Sequence, residues 1–324
     1  MCTAVSYCPG DHYFGRNLDL EYSYKEEVTI TPRNFPFRFR HTDELPHHYA
    51  MIGMATVADG FPLYYEASNE KGLSIAGLNF PGNAVYLPRQ EGKINLAPYE
   101  LIPFLLSQCE TASQAELFLR KINLTATAFS AELPLTPLHW IISDKDRSIV
   151  AEPMADGLHI YEDPVGVLTN NPPFDFHLYN LRNHLNVSAQ PAVNRFSEAA
   201  AIDPFSNGMG GIGLPGDYSS ASRFVKAAFV KLNSVAGKTE AENIHHFFHI
   251  LSAVEMPLGS VIIHPGEYEI TLYSCCCNTD KGIYYYRCYN NSHITGIDMG
   301  REDLEGCAPV RYPIKKNAPI EIDN

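Results

Sequence analysis

The residue with the most chemical reach is Cys2. A small residue after the initiator methionine permits removal of Met1, which leaves a cysteine as the amino-terminal residue with thiol and α-amine on one carbon. The α-amine has an intrinsic pKa of about 7.7–8.0 and a free thiol about 8.5, so the amine can serve as a built-in general base. The plain alternative is a cysteine that begins an edge strand. The next segment with chemical content is Phe14-Gly-Arg-Asn-Leu-Asp19. In a strand, Arg16 and Leu18 share one face and Asn17 and Asp19 the other. A twist or bulge near Gly15 brings Arg16 and Asp19 to the same end. There Arg16 holds the thiol as thiolate, as nearby cations do, and Asp19 balances the α-ammonium. The competing reading is a surface ion pair of little energetic weight.

Three further segments carry candidate groups. Ala76-Gly-Leu-Asn-Phe80 ends a strand and suits the presentation of a backbone N–H. Gly166-Val-Leu-Thr-Asn-Asn-Pro172 ends another with Asn170, whose amide suits donation to an oxyanion. Gly216-Asp-Tyr-Ser-Ser-Ala-Ser-Arg223 opens a helix with a fixed cation. Each alone reads as turn or cap chemistry. Together with Cys2 and Arg16 they are the parts of an amide-cleaving cysteine site.

The elements that must position these groups are mostly strands. Apolar or alternating runs recur at Thr3–Tyr7, Tyr13–Leu20, Glu27–Thr31, Tyr49–Val57, Leu63–Glu66 and Leu73–Leu78, and again at Leu138–Ser143, Ser148–Glu152, Leu158–Tyr161, Tyr268–Cys276, Gly282–Tyr289 and His293–Asp298. Turns such as Asn69-Glu-Lys-Gly72 and Thr279-Asp-Lys-Gly282 are too short for crossovers and imply antiparallel hairpins. Helical periodicity marks Pro98–Gln108, Ala112–Ile122, Ser220–Asn233 and Ala241–Val254, the second opened by a Thr111/Gln114 capping box. Ser188–Gly216 is rich in Asn, Pro, Ser and Gly and reads as a long excursion suited to assembly. The charged tail from Glu302 onward reads as a solvated end, with Lys315-Lys316 available for an oligomer contact. Residues 1–324 form one α+β domain on this reading, with sheets and helices in separate layers.

Composition narrows the field. Twenty-four basic against 37 acidic residues give a net charge of −13, a poor match for a phosphate-backbone partner. Tyr284-Tyr-Tyr286 therefore reads as sheet packing rather than a base-stacking platform. No run reaches the roughly 18 apolar residues of a membrane span, and the start lacks a basic region and an apolar stretch, so a cytoplasmic protein is expected. The eight cysteines include Cys275, Cys276 and Cys277, which alternate faces on a strand and cannot share one metal. They read as reduced, buried hydrophobes. His245 and His249 have the i, i+4 spacing of metal ligands, but flanking Phe247 and Phe248 fit an ordinary amphipathic helix, and no metal or cofactor is expected.

The segments MCTAV, FGRNLD, NEKGLSIAGLNFP, PLHWIISD, GVLTNNPPFDFH, GLPGDYSSASRF and KGIYYY, in this order, resemble the choloylglycine hydrolase family across essentially the whole chain. The resemblance implies an N-terminal nucleophile hydrolase with a four-layer αββα fold of two stacked antiparallel sheets. It implies Cys2 as nucleophile, Arg16, Asp19 and Arg223 as its polar network, and Asn79 and Asn170 as oxyanion-hole members. Substrate loops would fall at Leu18–Tyr24, Ala58–Tyr65 and Phe129–Leu135. Leu18, Ala58, Phe61, Tyr65, Phe129 and Leu133 are thus candidate contacts for a steroid face. The implied activity is hydrolysis of glycine- or taurine-conjugated bile acids by a homotetramer in an intestinal bacterium. Penicillin V acylase is the alternative with the same mechanism. Asn at position 79, where penicillin acylases of the family often carry Tyr, favours bile salts. An acylhomoserine-lactone acylase and a non-catalytic steroid carrier are the remaining readings.

Overall fold

The structure, a computed structural model, describes residues 1–323. In chain order the strands are β1 (Cys2–Tyr7), β2 (Tyr13–Leu20), β3 (Glu27–Thr31), β4 (Met51–Ala58), β5 (Phe61–Asn69) and β6 (Ser74–Asn79). They continue with β7 (Ile94–Leu96), β8 (Ile122–Leu124), β9 (Leu138–Ser143), β10 (Ser148–Met154), β11 (Gly157–Glu162) and β12 (Val167–Leu168). The last are β13 (Ile262–His264), β14 (Glu267–Tyr268), β15 (Ile270–Asn278), β16 (Ile283–Cys288), β17 (Asn291–Asp298) and β18 (Val310–Pro313). The helices are α1 (Leu101–Leu106), α2 (Ala112–Leu119), α3 (Phe174–Asn180), α4 (Ser220–Leu232) and α5 (Glu240–Ser252).

Two large sheets dominate, a six-stranded one in the order β12-β1-β2-β15-β16-β17 and an eight-stranded one in the order β11-β10-β9-β6-β5-β4-β3-β18. All their pairings are antiparallel, as the short turns require. One apolar cluster joins β1, β2, β15 and β16 to α3, α4 and α5 and to the inner residues of the eight-stranded sheet, among them Ile52, Met54 and Leu78. A second joins the outer face of that sheet, through Met51, Ala55, Ile75 and Trp140, to α1 and α2. Alternate strand residues thus serve opposite interfaces, and the layers run helix, sheet, sheet, helix.

Local chemistry accounts for individual connections. Asp59 (φ 49°) and Gly60 (φ 77°) form the two-residue loop between the paired Ala58 and Phe61, a turn whose positive φ values match the twist of a hairpin. Gly15 is required by a close approach, because a Cβ there would lie 1.9 Å from the Cys275 carbonyl oxygen. Helix α4 starts where the Ser219 side chain accepts the Ser222 N–H, and α5 where Thr239 and Glu242 complete a capping box.

Several expectations need correction. No bulge occurs in β2 near Gly15, since its register with β1 runs unbroken from Cys2–Leu18 to Tyr7–Tyr13. The irregularity lies instead in β15, between Thr271 and Tyr273. At the start of α2, Thr111 accepts the Gln114 N–H, but the Gln114 side chain accepts from Glu110, leaving the capping box half made. The chain end is not wholly solvated: β18 pairs with β3, and the Arg311 guanidinium meets Glu27 at 2.6 Å. Lys316 donates to Ser23 within the same chain. β7 and β8 form a parallel pair, and the short α3 had no periodic signal. In the 188–216 excursion a single short helical turn forms at Met209–Gly211 among isolated hydrogen-bonded turns, and Phe196 and Phe205 are exposed.

Candidate active site

Cys2 begins β1, paired with Leu18 of β2, and lines the floor of a cavity of about 590 Å³. The cavity walls are largely apolar and include Leu18, Tyr65, Tyr99, Phe129, Leu133 and Ile263. Volume and lining both suit a rigid apolar ligand with a few polar anchors. Of the candidate contacts, Leu18, Tyr65, Phe129 and Leu133 line this cavity, and Ala58 and Phe61 do not. Ala58 sits at the β4–β5 turn. Phe61 packs behind the wall, its ring 6.1 Å from that of Phe129 and 5.8 Å from that of Tyr99.

Arg16 reaches the cavity floor from the same face of β2 as Leu18. It is fully buried, and its Nη1 donates to the Gly77 carbonyl at 2.5 Å and to that of Tyr65 at 3.2 Å. Its Nη2 has no partner among the described residues. Burial opposes its charge, but its electrostatic coupling to Cys2, Tyr273 and Glu66 outweighs that and raises its pKa. Asp19 stays on the opposite face, where its Oδ1 accepts from Thr271 at 2.6 Å. Burial raises the Asp19 pKa, and Arg223 and the chain's ammonium pull against it. The pleat therefore does not bring Arg16 and Asp19 side by side; they flank the start of β1 from two faces.

Arg223, on the first turn of α4, is buried beside Cys2. Its Nη1 donates to the Cys2 carbonyl and to Thr3 Oγ1 (2.7 Å), and its Nη2 to Asn170 Oδ1 at 2.8 Å. Burial lowers its pKa, while Asp19 and Cys2 support the charge. The same Asn170 oxygen accepts the Cys2 N–H at 2.8 Å. The Asn170 amide nitrogen donates one hydrogen to the Asn79 carbonyl at 2.6 Å, leaving its second for another acceptor. Phe80 N–H donates to Pro137 across the β6–β9 ladder, so Asn79 occupies the alternate, non-hydrogen-bonded position opposite Leu138. Its backbone N–H and C=O thus turn away from β9. All six expected polar residues converge at the ends of β1, β2, β6 and β12 and the start of α4.

Met1 precedes Cys2 here, and its ammonium is held by the Glu269 carboxylate and by the Asp19 carbonyl at 2.8 Å. Burial lowers the pKa of that ammonium, while Cys2 and Asp19 favour its charge. Glu269 and Glu66 were not singled out from the sequence. Glu66 accepts from Tyr273 (2.8 Å), Tyr284 (2.6 Å) and Cys275 Sγ (3.4 Å), and lies 3.8 Å from Arg16 Nε. His245 and His249 are exposed on α5, with Phe247 and Phe248 buried beneath.

Residues 2–312 match the linear amide C–N hydrolases of the choloylglycine hydrolase family. The chain is 50% identical over 318 residues to the bile salt hydrolase/transferase of Lactiplantibacillus plantarum, covering 98% of each. It is 35% identical over 329 residues to the bile salt hydrolase/transferase of Clostridium perfringens, covering 100% of each. A crystal structure of a mutant conjugated bile acid hydrolase from C. perfringens superposes with a TM-score of 0.92 at 35% identity, covering 100% of each chain. The penicillin V acylase of Agrobacterium tumefaciens shares the fold, with a TM-score of 0.76 at 19% identity over 96% of this chain and 90% of that one.

Proposed function

The chain belongs to the choloylglycine hydrolase family of linear amide C–N hydrolases, and on that premise we propose that it cleaves the amide of glycine- or taurine-conjugated bile acids through Cys2. The observation that carries this reading is the meeting of Cys2, Arg16 and Asn79 at the floor of a steroid-sized apolar cavity, with Asn170 and Arg223 hydrogen-bonded to the Cys2 backbone behind it. In the proposed mature form Met1 is gone, and the nitrogen that here donates to Asn170 as an amide becomes a free amine in the same place. That conversion supplies the lone pair an amide lacks.

The Cys2 thiolate, whose charge the buried Arg16 guanidinium supports, attacks the amide carbonyl carbon. The oxyanion that forms accepts from the Asn79 backbone N–H and from the second hydrogen of the Asn170 amide. The α-ammonium protonates the departing nitrogen, the C–N bond breaks, and glycine or taurine leaves. The same amine then takes a proton from water, whose oxygen attacks the thioester to release the bile acid and the thiol. Asp19 supports and Arg223 opposes charge on the amino-terminal nitrogen of the structure, and the same opposing pair bears on the Cys2 amine once Met1 is gone.

The enzyme acts as a single domain in the cytoplasm, assembled as a homotetramer through the 188–216 excursion, whose exposed Phe196 and Phe205 support that role. Among the described residues no helix is long and apolar enough to cross a membrane. The test is amine release from glycocholate, taurocholate and penicillin V on one preparation. Fast release from the bile conjugates with slow penicillin cleavage is expected; the reverse order would move the function to the acylase.

A further inference from the structure

We propose that His139 and Glu152, which do not line the cavity, are positioning residues that fix the Asn170 donor through the Thr169–Phe174 segment. The inference rests on the assignment of Asn170 to the oxyanion.

Both side chains are fully buried. His139 lies on β9 opposite Leu78, one residue from the Asn79–Leu138 pair. Its Nε2 meets the Thr169 carbonyl at 2.9 Å, and its Nδ1 meets Glu152 Oε1 at 2.9 Å. A carbonyl only accepts, so Nε2 carries a proton; the Nδ1–Glu152 contact needs one more, whichever partner holds it. Glu152 also accepts the Phe174 N–H at 3.1 and 3.2 Å, where α3 begins. One imidazole–carboxyl pair therefore ties down both ends of the segment that carries Asn170. The ring is stacked under Phe80, next to Asn79, with centroids 4.3 Å apart and planes at 4°.

The backbone of Asn170 is pinned from two further elements. Its N–H donates to Ser220 Oγ at 2.8 Å, and its carbonyl accepts from His177 Nε2 at 2.8 Å. Burial holds the His177 pKa down at about 4, so it serves as a neutral donor. A buried ionisable pair adds little stability over apolar residues of the same volume. What it adds is direction, and an oxyanion donor works by being aimed before charge develops.

The test compares full-length wild type, Asn170→Ala, His139→Leu, Glu152→Ala and Glu152→Gln. The readouts are kcat and KM on glycocholate, melting temperature, and the rate of Cys2 alkylation by iodoacetamide, which passes through no oxyanion. For His139→Leu and Glu152→Ala, kcat falls about 10–100-fold with KM within about threefold, and the alkylation rate holds within about twofold. Glu152→Gln can donate to Nδ1 and still accept from Phe174, so its kcat stays within about threefold of wild type. If Glu152→Ala does not fold, His139→Leu, which keeps its volume under Phe80, decides alone. Folded variants with wild-type kcat would overturn the proposal, as would a kcat loss matched by slower alkylation. Loss of kcat in Asn170→Ala without loss in the other variants would refute only the brace. Wild-type kcat in Asn170→Ala would remove the assignment and the brace together.

Discussion

Replacing Glu66 with leucine isolates the buried charge of Arg16 on the cavity floor. Glu66 is the carboxylate nearest the Arg16 guanidinium, 3.8 Å from Nε, and both side chains are almost fully buried. Burial raises the Glu66 pKa, and Arg16 with the two tyrosine hydroxyls pulls it down. Removing the carboxylate leaves Arg16 charged in a dry interior and orphans the Tyr273 and Tyr284 hydroxyls. Breaking a buried pair on one side costs about 3–5 kcal/mol. For a chain of 324 residues that corresponds to a drop of about 4–7 °C in melting temperature. In the double variant Arg16→Met, Glu66→Leu the unpaired charge is gone, and at least about 2 kcal/mol should return. Calorimetry of wild type, both single variants and the double variant closes the cycle. A single-variant shift below about 1 °C, or strictly additive losses, would refute the view that Glu66 balances Arg16.

Gly15→Ala should abolish soluble expression or lower stability by more than about 3 kcal/mol, because its Cβ has only backbone atoms of β15 to displace; a chemical denaturation midpoint close to wild type would contradict this. Phe129→Ala opens the cavity wall without touching the polar cluster, so KM for glycocholate should rise with kcat nearly unchanged, and a kcat loss at constant KM would speak against a binding role. His12 is buried between Ser6 and Thr279, and burial lowers its pKa to about 4 from 6.5. The unfolded chain therefore binds the extra proton first, and the stability His12 contributes is full above pH 6.5 and is lost as pH falls towards 4. Between pH 7 and 4.5 the wild type should lose about 2–3 kcal/mol more than His12→Asn in urea unfolding, and equal losses would exclude this role.

The strand pattern was legible wherever a strand is regular. β2, β3 and β9 begin and end where alternation and turn residues place them. The three polar segments following Cys2 and Arg16 could be read because each ends a strand or starts a helix, where turn and cap residues mark the end of the element. What escaped depends on irregularities. Strict alternation puts Glu66 on the face of Tyr64, which packs towards α1 and α2. The register shift at Tyr65 reverses this, so Glu66 opposes Met54 of the inner layer and meets Arg16. One extra residue in a strand leaves no mark in composition. β18 was hidden for another reason: an edge strand with alternating exposure beside many charges looks like a solvated tail. The loop residues Ala58 and Phe61 illustrate a third limit. Sequence places a loop near a site, but which side chains face inward depends on packing, here an aromatic cluster of Phe61 with Phe37 and Tyr99.

The proposed mechanism requires an amino-terminal Cys2 as the acylated nucleophile. Acid-quenched protein taken during glycocholate turnover, followed by intact mass and sequencing of the N-terminal peptide, tests this directly. The expected species lacks Met1 and carries one cholyl group on Cys2. Full activity in a chain that retains Met1, or a cholyl group on any other residue, would contradict it.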